Sequence, residues 1–549
     1  MERALLVYNT VIQPGDNLMF RYFPLLLAIL AIAACAHAEH SAPGAYLPPI
    51  SIKDVQQSWD EPMTRQELAR CLLFPAKTLT LTVFAGQNQS LKNREQPENK
   101  VLGIAEGFEV EYAGSELFGP PLAESASYLY RATVSSVDAQ ALRFQVELSG
   151  LQEGDELYVI DPVLPRAFGP YTADDALEDG RWLATTEGDW AMLVVRTPHD
   201  ALPSLRLTGV AHFYRGFGEF FKELDCNINI ACESNSDILD VASGVGMLVV
   251  PSAGGDQGLC TCTLVNNADT PALEPYVLTS NHCVPQVVSA SEVDVIWDYR
   301  ATACDTADPP ALSSLPRSAG MVTLSTNSDL DITLMELESV PNGTFGRFYA
   351  GWTDRAVSAG EAITGIHHPQ AMHMRISHGD ILRSSVAAYP YYNQIEVLWS
   401  EGVTEPGSSG LGLLLDADGF RIIGTLSNGP LHVCGGSSNT DRFSAFRLFF
   451  PRVEGWLTGT EKPGPDEPEE ELCPAEYVYK NEPEILERLR AFRDGVLSRT
   501  RLGRWLVEAY YDMAPSLAKR VQNDPEAAAA FRELTLPLAG ASQSLLSSE

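Results

Sequence analysis

Three side chains able to run acyl transfer lie in order along this chain: His282 in Thr279-Ser280-Asn281-His282-Cys283, Asp331 in Asp331-Ile332-Thr333-Leu334, and Ser409 in Gly407-Ser408-Ser409-Gly410. A serine hydroxyl is a weak nucleophile at neutral pH. It needs an imidazole to take its proton, a carboxylate to hold that imidazole in the right tautomer, and backbone N–H groups to stabilise the oxyanion. The expected chemistry is hydrolysis of a peptide bond. Glycines flanking a serine usually mark an ordinary turn, so the frame of each residue has to carry the reading. Ser409 follows a strand-like run ending Val397-Leu398-Trp399 and precedes the apolar run 411–415. A strand, a tight glycine turn and a second strand put its hydroxyl beside the N–H groups of Gly407 and Ser409, the expected oxyanion hole. His282 follows the apolar strand Tyr276-Val277-Leu278; its alternative is a satisfied core histidine. Asp331 has a competitor in Asp329 and is preferred because it opens the apolar run 332–337. An aspartate beside a strand is otherwise commonly a solvated turn residue.

The elements around these residues carry a resemblance. From Cys226 to about Trp456 the chain resembles the bacterial lysyl endopeptidase family, a branch of the chymotrypsin-like (trypsin-like) serine peptidases. The strings that carry it are Cys226-Asn227-Ile228 with Cys232, Leu264-Val265-Asn266-Asn267, Leu278-Thr279 with Asn281-His282-Cys283, Trp297-Asp298-Tyr299 with Cys304, Ala350-Gly351-Trp352, Ile366-His367-His368-Pro369 with Arg375-Ile376-Ser377, and Gly402 through Gly410. The resemblance implies a double six-stranded antiparallel β-barrel with the catalytic groups in the cleft, His282 and Asp331 from the first barrel and Ser409 from the second. Short apolar runs separated by Gly, Pro, Asn and Asp clusters read independently as all-β. By resemblance the disulfides are Cys226 with Cys434, Cys232 with Cys304, and Cys260 with Cys283; spacing alone leaves the connectivity open. Cys262 stands where the family has glycine, as a free thiol or a competitor for Cys283. A metal site from Cys260, Cys262, His282 and Cys283 lacks the usual spacing, and one from His367, His368, His373 and His378 is discounted because the first two stand in a family-like strand segment. No metal or other cofactor is expected.

Substrate choice rests on Asp441. In the family an aspartate in this segment, here Asn439-Thr440-Asp441, lies at the base of the S1 pocket and accepts the cationic end of lysine; Ser427 and Gly429 would line it. The alternative is a solvated turn aspartate paired with Arg442. Ser427-Asn428-Gly429 replaces the family's His-Gly-Gly and no tryptophan stands near Ala388 or Tyr389, so arginine is expected to be accepted beside lysine. Ser408 stands where related zymogens carry an aspartate for a freed amine. That ion pair should be absent, and self-cleavage is expected near Lys222-Glu223.

The chain has 549 residues, 45% of them hydrophobic, ten cysteines and a net charge of −34. That length supports two or three domains, and the charge argues against nucleic acid and anionic membranes as partners. Residues 1–38 read as a signal region: Arg21 precedes the apolar stretch 25–34, short for a membrane span, and Met19 is an alternative start. Ala36-His37-Ala38 as a cleavage site competes with Ile32-Ala33-Ala34-Cys35 as a lipobox. The expected product is a monomer that is secreted or at the bacterial cell surface, periplasmic or lipid-anchored, touching membrane only through Cys35 or C-terminal sorting. Residues 39–222 show strand alternation in 142–148, 157–160, 191–195 and 205–207, a small β-sandwich that is either propeptide-like or a permanent accessory. The peptidase segment is 223–458, and 459–472 is an acidic proline-rich linker. Residues 473–549 form a helical tail, similar in outline to a sorting segment beginning at Cys473. A surface-binding or adhesion module with weak catalysis is the second function class. A serine esterase is the third, disfavoured by the order of the triad.

Overall fold

A computed structural model describes residues 40–47, 63–92, 102–123, 127–163, 165–175, 180–217, 224–268, 273–284, 290–304, 310–388, 391–436 and 438–459, with 474–479, 482, 485, 488–489, 517, 520–521 and 524–546 beyond them. The signal region, Cys35, Lys222, Glu223 and Cys473 lie outside the described residues. The chain divides into two compact units, His40–Glu467 and one containing Pro468–Glu549. The sandwich and the peptidase segment lie together in the first of these units.

Strands Lys77–Leu81, Tyr128–Ser136, Trp190–Thr197, Glu156–Asp161 and Arg166–Tyr171 form one sheet of an N-terminal sandwich. Strands Ala141–Gly150, Ser204–Phe213 and Leu102–Ala113 form the facing layer. Alternation along each strand turns Val134, Leu142, Phe144, Val146, Leu157, Val159, Leu193 and Leu207 into one core between the layers. Each such fully buried side chain contributes about 1.5–3 kcal/mol against the entropy of ordering the chain.

The second layer does not end at the sandwich. Strand Leu102–Ala113 pairs on its far side with Gln257–Leu264, placing Gln257 opposite Ala105 and Leu259 opposite Leu102, so the sheet continues into the next barrel. Gly107 permits the approach, because a Cβ there would lie 2.2 Å from the Gly255 carbonyl carbon. Buried polar ties cross the same junction: Arg143 Nη1 donates to Gln257 Oε1 at 2.9 Å, Asp294 accepts from Thr185 N at 3.1 Å, and Arg317 Nη1 donates to Thr185 O.

The first barrel comprises Val245–Pro251, Gln257–Leu264, Tyr276–Thr279, Asp294–Trp297, the consecutive pair Arg317–Ala319 and Met321–Asn327, and Ile332–Leu337. It closes because the pair is one run of chain bent at Gly320 (φ +82°), with each part bonded to a different edge. The second barrel comprises Ala362–His367, Arg375–Ala388, Tyr391–Glu401, Gly412–Leu415, Arg421–Asn428 and Thr440–Ala445, closed by the pairing of the last two. Helix Phe446–Leu457 then buries Phe446, Phe449, Phe450 and Val453 against a core shared with Trp352. The expected mainly β fold, a double barrel after a sandwich-like domain, is what the chain forms.

One feature was not anticipated. Residues 40–47 precede the sandwich in sequence but bind beyond it: Ala42 pairs with Trp352 and Ala45–Leu47 with Arg347–Tyr349. Gly351 makes room, since a Cβ there would lie 2.5 Å from the Ala42 carbonyl oxygen. The C-terminal unit contains helices Pro474–Val478 and Pro525–Leu546, with Tyr479, Val521 and Phe531 in its core and a bidentate pair from Arg532 to Glu482. No helix among the described residues is long and apolar enough to cross a membrane.

Candidate active site

His282 sits in the turn after Tyr276–Thr279, and the Cys260–Cys283 disulfide pins that turn to the neighbouring strand Gln257–Leu264. Its ring Nδ1 lies 2.7 Å from Asp331 Oδ2, while its backbone N donates to Asp331 Oδ1 at 2.9 Å. One carboxylate thus holds both ring and backbone. Asp331 is fully buried just before strand Ile332–Leu337, with φ +61°, a left-handed conformation that aspartate tolerates better than most residues. Asp329, the competitor, does not make this contact. Tyr391 is near enough that burial, reinforced by the charge of Asp331, pushes its phenol up to about 12.

Ser409 is fully buried at the start of the second barrel's inner turn. The two barrels are stitched together around it: Thr261 N donates to Ser409 O at 2.7 Å, Thr261 Oγ1 to Gly407 O at 3.0 Å, and Ser280 Oγ to Leu426 O at 2.6 Å. Gly407 (φ +101°) and Gly410 (φ +82°) supply backbone shapes that other residues rarely adopt. At Gly410 a Cβ would also lie 2.2 Å from Thr279 Oγ1. Nε2 of His282 is buried and makes no hydrogen bond among the described residues, so its bond to the Ser409 hydroxyl is not formed here. Such contacts are often loose without substrate and tighten when one is bound.

Ser408 has a partner that the sequence did not announce. Its Oγ lies 2.8 Å from Nδ1 of the buried His367, whose Nε2 lies 3.2 Å from Ser377 Oγ. Ser377 Oγ donates to Val403 O, so it accepts from Nε2–H; Nδ1 then accepts from the Ser408 hydroxyl, which itself accepts from Glu405 N. The imidazole ties together both ends of the segment before Ser409. Removing it would leave two buried hydroxyls short of a partner, a cost of about 1–3 kcal/mol each. His367→Ala is expected to lower kcat by about tenfold to a hundredfold through a loosened oxyanion loop. Steady-state kinetics beside thermal unfolding checks it: unchanged kcat with a lowered Tm would make the network purely structural. Glu405 adds a tie to the segment entering the peptidase, accepting from Leu224 N at 3.0 Å and Asn227 Nδ2 at 2.5 Å.

The other sequence-predicted residues fall as follows. Cys226 is bonded to Cys434, Cys232 to Cys304, and Cys260 to Cys283. Cys71 and Cys262 are buried and outside the three disulfides, and burial raises the pKa of the Cys262 thiol. Cys260, His282 and Cys283 gather ligand-type atoms within 4.8 Å, yet the two sulfurs are spent on each other and offer no thiolate to a metal. His368 packs on Tyr299, and burial pushes it down to about 3; His373 falls to about 4 for the same reason.

Asp441 lies on strand Thr440–Ala445 and is fully buried. Its Oδ2 accepts from Trp399 Nε1 at 2.7 Å and from Thr404 Oγ1; its Oδ1 lies 3.2 Å from His432 Nε2. Arg442, the alternative partner, instead faces Glu396 at 3.6 Å and Asn428 at 3.5 Å. Gly429 lies flat against the carboxylate, where a Cβ would come within 1.9 Å of Oδ1, and Ser427 is buried beside Ser444. His432 escaped sequence reasoning because it stands between Leu431 and Val433 in what reads as a surface loop.

Comparison with known proteins adds to this geometry. Residues 222–444 match the family described as lysyl endopeptidase, C-terminal domain. A lysyl endopeptidase of Pseudomonas aeruginosa is 29% identical over 351 residues, 60% of this chain and 74% of that protein. Among solved structures, the active form of the Rv3671c protease from M. tuberculosis is 14% identical with a TM-score of 0.28, covering 45% of this chain and 96% of that one. The HtrA-type protease AlgW with a tripeptide is 15% identical with a TM-score of 0.30, covering 41% of this chain and 64% of that one.

Proposed function

We propose that this chain, whose residues 222–444 match the lysyl endopeptidase C-terminal domain, is a serine-type endopeptidase that cleaves proteins after basic residues, lysine first and arginine beside it, outside the cytoplasm. In this reading His282 takes the proton of Ser409, Asp331 holds the imidazole, and the N–H groups of Gly407 and Ser409 receive the oxyanion. The observation that carries it is the double hold of Asp331 on His282, ring and backbone together. An adhesion module would have no use for an imidazole fixed in orientation by a buried carboxylate. The preference for a cation rests on Asp441, a buried carboxylate in the second barrel whose Oδ2 is held by Trp399 and Thr404 and whose Oδ1 faces His432. Three disulfides support an oxidising compartment. Digestion of a defined peptide library by the purified protein, with the cuts mapped by mass spectrometry, tests the proposal; cuts mainly after glutamate or aromatic residues would refute the basic preference.

Self-processing follows from the same preference. A cut near Lys222-Glu223 would release a chain beginning close to Leu224, whose N–H already bonds Glu405. Wild type is expected to lose the residues before Cys226, and Ser409→Ala to retain them. N-terminal sequencing of both decides it, since identical processing would assign the cut to another protease.

A further inference from the structure

The loop between Asn428 and Asn439 reverses the usual order of burial. Leu431 is 78% and Val433 62% exposed, whereas His432 between them is 7% exposed. Apolar residues on a surface are common; a buried polar one asks for a reason. The loop is built to hold this arrangement. Asn439 brackets Val433, accepting from its N at 3.3 Å and donating to its O at 2.9 Å, and Cys434 is anchored to Cys226. What the inverted burial achieves is the contact between His432 Nε2 and Asp441 Oδ1.

We infer that His432 is a specificity-determining residue that occupies the substrate's place on Asp441 and is displaced by the incoming cation. The inference rests on the reading of Asp441 as the acceptor for basic side chains. Oδ2 is already committed to Trp399 and Thr404, so an ammonium entering the pocket has to take Oδ1, the oxygen that His432 holds. An empty pocket with a bare buried carboxylate would be costly. His432 removes that cost in the resting enzyme and subtracts the same amount from the gain on binding lysine. The same Nε2 lies 3.4 Å from Thr440 O. Removing the ring should therefore act on KM for lysyl substrates rather than on kcat, which depends on His282 and Ser409.

The experiment measures kcat and KM on a lysyl and on an apolar peptide substrate for wild type, His432→Ser and His432→Gln, with fluorophosphonate labelling of Ser409 to verify that each variant is folded. Expected in His432→Ser is a KM for the lysyl substrate about three- to tenfold below wild type, with kcat and the apolar KM moved far less. His432→Gln, which retains a donor for Oδ1, should return the lysyl KM toward the wild-type value. A lysyl KM unchanged in His432→Ser overturns the inference. So does a KM that rises in His432→Ser, which would make the ring an aid to binding. If neither wild type nor the variants cut after lysine or arginine, the reading of Asp441 falls and this inference with it.

Discussion

Replacing Ser409 by alanine is expected to lower kcat on peptide substrates by about four to six orders of magnitude while leaving the protein folded. His282→Ala should lose about as much, because the two act as one unit and the absence of either leaves only binding and the oxyanion hole. The fold should survive, since what holds this turn is backbone: the ties from Thr261 to Ser409 O and Gly407 O, and from Gly410 N to Leu426 O. Truncating one hydroxyl disturbs none of these. Nε2 of His282 is without a hydrogen bond among the described residues, so the histidine variant breaks no contact on that side and gives up only the tie to Asp331. Activity assays with thermal unfolding of both variants test the expectation. Wild-type turnover by a folded Ser409→Ala protein would refute the triad.

The residues behind that prediction could be proposed from the sequence because the patterns that suggest them are local. A glycine turn between two strands, a histidine before a cysteine and an aspartate opening an apolar run are patterns of neighbours in sequence. The strands were legible for the same reason: the alternation in 142–148 and 191–195 maps onto Ala141–Gly150 and Trp190–Thr197. What stayed hidden depends on distant partners. Leu102–Ala113 reads as a sandwich strand, and nothing in it announces that its other edge meets Gln257–Leu264, some 150 residues on. The segment 40–47 pairs over only two or three residues at a time, too short for any period to show. His367 and Ser408 each stood in a quoted string, yet their contact spans 41 positions and links two elements that the pairing of Ala362–His367 with Gly412–Leu415 brings together. His432 was hidden for a different reason. Hydropathy places Leu431 and Val433 inside, and the disulfide at Cys434 with the bracket from Asn439 turns that preference over.

The second large effect is expected at Asp441. Asp441→Ser should cut kcat/KM on lysyl substrates by about a hundredfold to a thousandfold and change apolar substrates far less, because the ammonium loses the charge that compensates it on leaving water. The sign for apolar substrates follows from the resting pocket. Wild-type Asp441 is satisfied by Trp399, Thr404 and His432, so a neutral side chain entering meets donors already engaged and gains nothing from the carboxylate. In the serine variant those donors lose their acceptor, which costs folding stability in a way that the kinetics alone would not separate from lost recognition. Asp441→Asn makes the separation. It keeps the shape and an acceptor oxygen for Trp399 and Thr404, and it removes the charge together with the acceptor at the Oδ1 position. If the carboxylate recognises a cation, Asn should approach Ser in its loss on lysyl substrates while unfolding near the wild-type temperature. If Asp441 instead serves to hold the second barrel together, Asn should retain most of the lysyl activity and Ser should lose stability along with activity toward every substrate. Arginine substrates sharpen the same test, since a planar guanidinium can reach both carboxylate oxygens only by displacing Trp399 or Thr404 as well as His432. Lysine, needing Oδ1 alone, is therefore expected to be the better substrate in wild type.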